Sequence, residues 1–433
     1  MKTNSPRCLS AVLICLFLLI TALPRTSLAA VQCDDAYVDA RANTVLVSHN
    51  GENDTMNIQC AVDLAIEQSI PVVKLKAGDF IISSLVFTDF KGSLQGNTRS
   101  STRITTIENG LDCSASVSSG RASAVIKFIG GEPKLRFMNI TFARPCDRDN
   151  LVGGIHVTGR PAPLDCDNDV ILAEIDRVDL TGLDPSLNVY MNGVAATTEG
   201  HWFSGTCNKN LLGKLSVSRS TFSNFHSPII TSMQSAAPVD LRFNDFMNFD
   251  YAIWVRDSNQ DTTIAQNNFM LGAYLNASPT GVRIYTVSED APRTTTIKIS
   301  RNTFTALGDA TAIRDTNLTG GVETALWVAN NTFDWTAGLP GVGFGILVEK
   351  INRGIVSGNV FTGDFSSAVR VGSATHPDNI FGWSVTGNSF DDSIEGSNHV
   401  VFDNNVRDSV FGPGQPGKVS GVDYSSKNFM LND

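Results

Sequence analysis

The chain has 433 residues, of which 18% are charged, and its formal net charge at pH 7 is −10. This length suits one large domain or two to three ordinary ones. The acidic balance and the lack of a basic stretch interleaved with aromatic residues predict no nucleic-acid partner, and any anionic polymer would need a local basic site.

Residues 1–30 have the organisation of a secretory signal peptide. Lys2 and Arg7 precede the apolar run AVLICLFLLI, and small residues end the segment at Ala30. Later runs are shorter than the roughly 18 apolar residues that span a bilayer. We therefore expect no stable membrane insertion after signal cleavage and a secreted location, whether extracellular, periplasmic or at the cell surface. The alternative is a retained signal anchor.

Cleavage at this point would leave 30 basic and 43 acidic residues, and six of the eight cysteines. An even number of cysteines in an exported chain predicts disulfides, with fifteen possible connectivities. The absence of Cys-x-x-Cys pairs and of zinc-finger His spacing argues against a metal centre of that kind. The six cysteines are Cys33, Cys60, Cys113, Cys146, Cys166 and Cys207.

Residues 31–100 are predicted to form an N-terminal cap and the first coils of a repeat. Within NDTMNIQCAVDLAIEQ, apolar side chains from Ile58 to Ile66 share one face of a helix, and Asp54 precedes it as the expected N-cap. We interpret this amphipathic helix as a capping element.

Residues 101–411 contain an internal repeat that predicts the architecture. A turn of Asn, a small polar residue and Phe recurs at intervals of 23 to 35 residues. Between these turns lie short segments such as AIWVR, GVRIY and GILVE, in which a small residue precedes two apolar residues separated by one variable position. The recurring aromatic residues are Phe222, Phe246, Phe269, Phe304, Phe333, Phe361 and Phe390.

Period-two strands repeated at this interval are typical of a β-solenoid with one repeat per coil. We therefore predict an all-β chain folded as a right-handed parallel β-helix, with coils about 4.8 Å apart. Asn is expected to adopt the left-handed backbone of the turn and to form hydrogen bonds along the column, and Phe to stack inside it. Residues 412–433 are expected to form a C-terminal cover or a loose tail.

The tandem GN-x-F and NNTF turns, with GI-x-V strands between them, resemble the pectin-lyase-like β-helix superfamily. The segment NDTMNIQCAVDLAIEQSIPVVKLKAGDFIIS is similar to the capping helix and first coil of such proteins. The resemblance covers roughly residues 50–410 and concerns the fold, since the superfamily includes lyases, hydrolases, epimerases, tailspikes, adhesins and non-catalytic modules.

The catalytic signatures of particular families are missing from the sequence. It has no Gly-His-Gly, no Asp-Pro-His, no Gly-x-Ser-x-Gly and no His-Glu-x-x-His. No family's catalytic residues can therefore be carried over.

Strand alternation nevertheless predicts one exterior face. If the apolar residues of each segment point inward, the intervening residues point outward and stack from coil to coil. In enzymes with this fold, the resemblance implies that the equivalent sheet and its flanking loops line the saccharide groove. The predicted substrate-binding residues are His156, Trp254, Arg314, Glu349 and Arg370, and the predicted catalytic residues are Arg256, Arg283, Tyr285 and Lys350.

These residue types suit an acidic sugar. Arginine binds carboxylate or sulfate through two parallel hydrogen bonds, and aromatic rings stack on sugar rings. In β-elimination from a uronic acid, Arg256 or Arg283 would neutralise the carboxylate. Tyr285, Lys350 or His156 would take the C5 proton.

No cofactor is clearly indicated by the sequence. A Ca²⁺ ion could be held by carboxylate oxygens of Asp257 or Glu349, although no dense acidic cluster appears.

The sequence thus predicts an exported β-helix that binds or modifies an extracellular, acidic polysaccharide, with lyase- or epimerase-like chemistry. The alternative is a non-catalytic surface, adhesion or structural module, in which the arginines form ordinary solvated exterior.

Overall fold

The computed structural model describes residues 33–39, 41–108, 110, 124–143, 152–159, 170–183, 191–197, 211–234, 238–256, 261–272, 278–285, 295–316, 324–337, 343–372, 380–392, 394, 399–411, 418–419 and 429–430. Residues 1–30, four of the six cysteines that follow them, and Asp257 lie outside these ranges.

The described strands stack in parallel into a right-handed β-helix, as the repeat and the resemblance predict. One sheet has 25 strands, a second has 12, and a third has two. Among the described strand pairs, only the first two strands of the chain run antiparallel.

Within the described ranges, the first part of the chain contains one helix, α1 (Thr55–Glu67), and the strands before the regular coils. These strands are β1 (Ala36–Asp39), β2 (Thr44–Val47), β3 (Val72–Leu75), β4 (Gly78–Ile82), β5 (Leu85–Thr88), β6 (Ser93–Gln95), β7 (Thr102–Thr106), β8 (Ala124–Ile129), β9 (Lys134–Thr141), β10 (Val152–Thr158), β11 (Ile171–Thr181), β12 (Met191–Ala196) and β13 (Leu211–Ser218).

The regular coils occupy the second half of the chain. Their first strands are β14 (Thr221–Phe225), β15 (Ser227–Thr231), β16 (Met233–Gln234), β17 (Val239–Arg242), β18 (Asp245–Phe249), β19 (Tyr251–Arg256), β20 (Thr262–Ala265), β21 (Asn268–Leu271), β22 (Thr280–Tyr285), β23 (Thr295–Ser300), β24 (Thr303–Ala306), β25 (Thr311–Asp315) and β26 (Thr324–Ala329).

The remaining strands complete the coils toward the C-terminus. They are β27 (Thr332–Trp335), β28 (Phe344–Val348), β29 (Gly354–Ser357), β30 (Val360–Gly363), β31 (Ser367–Val371), β32 (Ile380–Phe381), β33 (Trp383–Thr386), β34 (Ser389–Phe390), β35 (Val400–Phe402), β36 (Val406–Arg407), β37 (Val410–Phe411), β38 (Lys418–Val419) and β39 (Phe429–Met430).

Each regular coil consists of three strands. In the coil β20, β21 and β22, the first two strands join the 25-stranded sheet and the third joins the 12-stranded sheet. The next coil repeats this order, so that β20 pairs with β23, β21 with β24 and β22 with β25. Equivalent residues of successive coils therefore form columns along the axis of the β-helix.

A column of phenylalanine rings fills the interior. Seven rings, from Phe222 to Phe390, stack with centroids 4.5–5.2 Å apart and planes within 14° of parallel. The imidazole of His399 continues the stack, 4.4 Å from Phe390. Each aromatic pair adds about 0.5–1.5 kcal/mol beyond the burial of its area, so the stack stabilises the core.

A ladder of asparagine amides runs beside this stack. Nδ2 of Asn267 donates to Oδ1 of Asn302 at 3.0 Å and to the backbone oxygen of Leu241 at 2.9 Å. The same pair of bonds recurs from Asn244 to Asn359. The predicted hydrogen bonding along the column is therefore confirmed.

The predicted left-handed backbone of the ladder asparagines is wrong, because the residue before each of them adopts it. Gln266, Arg301 and Asn330 each have φ of 57°. The chain bends at this residue, and the bend turns the next side chain, the ladder asparagine, into the interior, where its amide satisfies the backbone of the neighbouring turn.

The small residue that begins each repeated strand segment, such as GVRIY or GILVE, leaves space for the stacked phenylalanine rings. A Cβ atom on Gly281 would lie 2.9 Å from the ring of Phe304 and 2.6 Å from the backbone oxygen of Ala312. One on Gly345 would lie 2.8 Å from the ring of Phe361. The glycine is therefore required by packing against the stack.

Helix α1 packs on the first strands with its apolar face buried, including Ile58 and Val62. Its role as a cap stays a prediction. Asp54 does not cap it through its side chain. The buried Asp54 carboxylate instead accepts the backbone N–H groups of Asn50 at 2.8 Å and Ile81 at 3.0 Å, and so ties the turn before the helix to β4.

A disulfide joins Cys33 to Cys60 and attaches the start of the described chain to helix α1. This bond selects one pairing from the open connectivities and favours an oxidising compartment. The other four cysteines of the predicted set lie outside the described residues. Among the helices of the described ranges, none has the length and apolar character needed to cross a bilayer.

Candidate functional site

The outward residues predicted from strand alternation lie in register on the 12-stranded sheet. The strand pairs align Trp254 with Arg283, Arg283 with Arg314, and Arg256 with Tyr285. The column continues through the buried Leu347 to Arg370. We call the surface formed by Tyr251, Trp254, Arg256, Arg283, Tyr285 and Arg314 the aromatic–arginine face.

The buried residues next to them in each strand determine which side chains point outward on this face. Ile253, Val282 and Ile313 align across three coils and are fully buried. Because successive strand residues point to opposite sides, burial of this column directs Trp254 and Arg283 outward. Both are half-buried.

Arg283 lies at the centre of the face, enclosed by three aromatic rings. Its guanidinium carbon is 4.4 Å from the ring centre of Tyr251, 5.1 Å from that of Trp254 and 5.5 Å from that of Tyr285. Its Nε also donates to Oγ1 of Thr316 at 3.3 Å. Cation–π contacts of this kind strengthen as the cation is desolvated. The rings therefore hold the guanidinium in one place.

Burial lowers the pKa of Arg283 below its ordinary value, and the nearby positive charge of Arg314 acts in the same direction. Tyr251 and Tyr285 oppose this shift. Arginine remains protonated at physiological pH. Burial thus leaves Arg283 as a partly desolvated cation. An anionic ligand would supply the opposite charge.

Trp254 carries a buried polar group as well as its ring. Its indole Nε1 is buried and has no hydrogen-bond partner among the described residues. The guanidinium carbon of Arg256 lies 5.7 Å from the same ring. An indole N–H donates only.

His226 and Asp250 adjoin the face, although the sequence interpretation assigned neither residue to the site. Nδ1 of His226 lies 2.7 Å from Oδ2 of the fully buried Asp250, and its ring meets that of Tyr251 edge-on at 5.3 Å. A carboxylate at Nδ1 places the proton there and leaves Nε2 as the basic nitrogen. The sequence feature that could have revealed this pair is the spacing of 24 residues between His226 and Asp250. This spacing equals the interval between Phe222 and Phe246, so His226 and Asp250 occupy the same position in successive coils.

Toward the C-terminus, the predicted cations are neutralised within the protein. Nη2 of Arg314 lies 3.4 Å from Oε2 of Glu349. Arg370 binds Asp403 through Nε at 2.9 Å and Nη2 at 3.2 Å. The charge of Arg370 is therefore already matched by a buried carboxylate.

His156 occupies the predicted column but is buried rather than exposed, and its role in substrate binding stays a prediction. It aligns with Lys127 and Ala195, and its side chain is fully buried with Nε2 3.2 Å from the backbone oxygen of Thr197. Its pKa is lowered from 6.5 to about 3, chiefly by burial and also by the positive charge of Lys127, while the bond to Thr197 opposes the shift.

Lys350 follows the end of β28 and is half-buried. Its backbone N–H and that of Ile351 donate to Oδ2 of Asp315 at 3.0 and 2.8 Å. The buried Asp315 thus anchors the turn that carries Lys350 beside Glu349.

No group of three or more His, Cys, Asp or Glu side chains that could hold a metal ion occurs in the described ranges. Of the two carboxylates predicted as calcium ligands, Glu349 pairs with Arg314 and Asp257 lies outside the description.

Neither the protein-family models nor the curated sequences contain a match to this chain. Among solved structures, it is similar to the Streptococcus pneumoniae surface protein and adhesin PfbA. That similarity has 11% identity and a TM-score of 0.44, and covers 86% of this chain and 96% of that one.

It is also similar to the A-module of the Azotobacter vinelandii mannuronan C-5 epimerase AlgE4, with 13% identity, a TM-score of 0.37 and coverage of 88% and 97%. The Dettilon tailspike protein gives 14% identity, a TM-score of 0.33 and coverage of 88% and 68%. We transfer no site residue from these proteins.

Proposed function

We propose that this chain is an exported protein that binds an acidic extracellular polysaccharide on its aromatic–arginine face. The observation that carries the proposal is Arg283, a partly desolvated cation held among the rings of Tyr251, Trp254 and Tyr285. The Cys33–Cys60 disulfide and the signal-peptide pattern of residues 1–30 support export.

The chemistry of the face fits a sugar acid. A guanidinium binds a carboxylate or sulfate by charge-assisted hydrogen bonds, which are roughly twice as strong as neutral ones. The flat apolar side of a pyranose stacks on an aromatic ring such as that of Trp254 or Tyr285. Because the coils repeat along the axis, an extended polymer meets successive coils of the same face.

The same face has the groups for lyase- or epimerase-like chemistry. Arg283, assisted by Arg256, neutralises the uronate carboxylate and so acidifies the C5 proton. A base takes that proton, and we assign this role to Tyr285, Lys350 or His226, of which His226 is oriented by Asp250.

In elimination, the electron pair of the C5–H bond forms the C4–C5 double bond while the C4–O bond breaks and its oxygen takes a proton. In epimerisation, C5 instead receives a proton on the opposite side of the ring.

A non-catalytic surface or adhesion module is the second candidate. It is favoured by the ion pairs Arg314–Glu349 and Arg370–Asp403, which neutralise the C-terminal part of the column. In that case the face binds the glycan and releases it unchanged.

Calorimetric titration with hexasaccharides of galacturonate, mannuronate and chondroitin sulfate tests the binding. We expect Arg283→Gln to weaken binding about 10- to 100-fold, because it removes a charged hydrogen-bonding group worth roughly 1.5–3 kcal/mol. The matched control is Arg103→Gln, an exposed arginine of β7 on the other sheet. Equal affinity of wild type and Arg283→Gln for all three ligands would refute the proposal.

Product formation distinguishes the catalytic candidate function from the non-catalytic one. New ultraviolet absorbance from unsaturated sugar ends identifies a lyase, and exchange of C5 hydrogen with deuterated solvent identifies an epimerase. Binding without either signal identifies the module.

A further inference from the structure

A groove crosses the outer surface of the 25-stranded sheet, on a different wall of the β-helix from the aromatic–arginine face. It encloses about 320 Å³ and lies over β17, β20, β23 and β26, beside the turns that follow them.

Small side chains form the floor of this groove. Ala265, Ser300 and Ala329 align in register on three successive coils. Outward positions of a solenoid usually carry larger polar residues. A column of Ala and Ser therefore leaves a trough that runs parallel to the axis of the β-helix.

One wall of the trough presents an exposed tryptophan beside a lysine. Lys298 and Trp327 align in register, with Nζ 5.5 Å from the indole ring. Trp327 is 44% exposed, whereas Trp335 and Trp383 are 1% exposed. An exposed ring next to a cation is unusual for a structural tryptophan and is common where proteins bind sugars or other planar ligands.

The other wall is formed by the turn residues with left-handed backbone. Gln266, Arg301 and Asn330 share the same φ and are all exposed. The asparagine ladder from Asn244 to Asn359 adjoins this backbone conformation in each of its coils. The backbone of Arg301 is therefore held at the edge of the groove, with its side chain exposed.

The charge of the groove opposes that of the whole chain. The protein has a net charge of −10, yet the groove carries Arg242, Lys298 and Arg301. Arg242 pairs with Asp240. Neither Lys298 nor Arg301 forms an ion pair with a carboxylate of the described residues. Two cations that have no carboxylate partner among the described residues, beside an exposed indole, suit an anionic ligand with flat apolar surfaces.

We propose that this groove is a second binding site, which takes one chain of an anionic polysaccharide. A sugar ring stacks on Trp327, and its carboxylate or sulfate groups reach Lys298 and Arg301. The spacing between coils, about 4.8 Å, is close to the length of one pyranose in an extended polymer. Successive sugars can therefore meet equivalent positions of successive coils. The site uses no residue of the aromatic–arginine face.

Tryptophan fluorescence gives a direct test. In a Trp254→Phe background, which removes the indole of the other face, galacturonate or chondroitin sulfate hexasaccharide should protect Trp327 from quenching by acrylamide. The protection should vanish when Trp327→Phe is added. Lys298→Gln and Arg301→Gln should each weaken the binding about tenfold, whereas Arg103→Gln should change it less than twofold.

The two ligands distinguish a carboxylate-binding from a sulfate-binding groove. Absence of protection with both ligands, or protection that is insensitive to both charge substitutions, would overturn the proposal. So would tighter binding of a twelve-nucleotide single-stranded DNA than of either hexasaccharide, since a stacking ring with cations also suits nucleic acid. Arg283→Gln should leave this signal unchanged, so the failure of one site is distinguishable from the failure of the other.

Discussion

The guanidinium carbon of Arg283 lies 4.4 Å from the ring centre of Tyr251, which belongs to the preceding coil. The contact joins two strands of the 12-stranded sheet across their outer surface. It places a cation where water is partly excluded but the ring still opens onto solvent. The consequences for binding and for stability can be measured.

The ring of Tyr251 is expected to matter more than its hydroxyl group. Tyr251→Phe should retain the affinity for an acidic hexasaccharide within about threefold, and Tyr251→Leu should lower it about tenfold, because cation–π contacts contribute roughly 0.5–2 kcal/mol. Isothermal titration of both variants measures this. Equal losses in the two variants would assign the effect to the hydroxyl group.

The packing of Gly281 against the phenylalanine stack predicts a large effect of one methyl group. Gly281→Ala should lower the free energy of unfolding by about 1–3 kcal/mol, because the new Cβ overlaps the backbone of Ala312 and the ring of Phe304. Gly308→Ala is the matched control, since no heavy atom lies within 4 Å of its Cβ position. Urea titration followed by circular dichroism should show the loss in the first variant only.

Breaking the asparagine ladder should also destabilise the protein. Asn302→Ala removes the acceptor for both the backbone N–H and Nδ2 of Asn267 and leaves the backbone oxygen of Ile264 without its donor. We expect a loss of about 2–4 kcal/mol for these buried groups. The exposed neighbour Thr303→Ala should change stability by less than about 0.5 kcal/mol. Similar unfolding midpoints for the two variants would contradict a stabilising ladder.

The burial of His156 predicts a pH dependence of stability. Its folded-state pKa of about 3 lies below the ordinary 6.5, so the unfolded chain binds more protons between these values. Stability should therefore fall as the pH is lowered through this window, by up to about 1.4 kcal/mol per pH unit. His156→Gln should reduce the difference in stability between pH 7.5 and pH 5 by about 2 kcal/mol. An unchanged difference would mean that His156 is accessible to protons in the folded state.

The disulfide should stabilise the N-terminal region. It closes a loop with a sequence separation of 27 residues, and loop-closure entropy alone predicts a contribution of about 3.5 kcal/mol. Cys60→Ser should therefore lower the unfolding midpoint in guanidinium, and Cys33→Ser/Cys60→Ser should show the same loss. A much larger loss in the single variant would implicate mispairing with other cysteines.

The β-helix was predictable because its signal is periodic. Burial of Ile253, Val282 and Ile313 repeats with the coil, so the sequence indicates both the fold and the outward column that contains Trp254 and Arg283. The stacking of phenylalanines was predictable for the same reason.

Details that depend on contacts between coils could not be predicted by interpreting each sequence segment separately. His226 and Asp250 pair across successive coils, and neither lies in a recognisable motif. The left-handed backbone falls on residues as different as Gln266 and Arg301, because the ladder imposes the bend regardless of side chain. Strand alternation correctly aligned His156 with the column but carries no information about the atoms that cover it.

The asparagine ladder has a direction. In each rung from Asn244 to Asn359, the amide nitrogen faces the C-terminal neighbour and the amide oxygen faces the N-terminal one. All these bonds therefore point the same way along the axis, so the two ends of the ladder differ: the N-terminal end presents an amide oxygen and the C-terminal end presents an amide nitrogen.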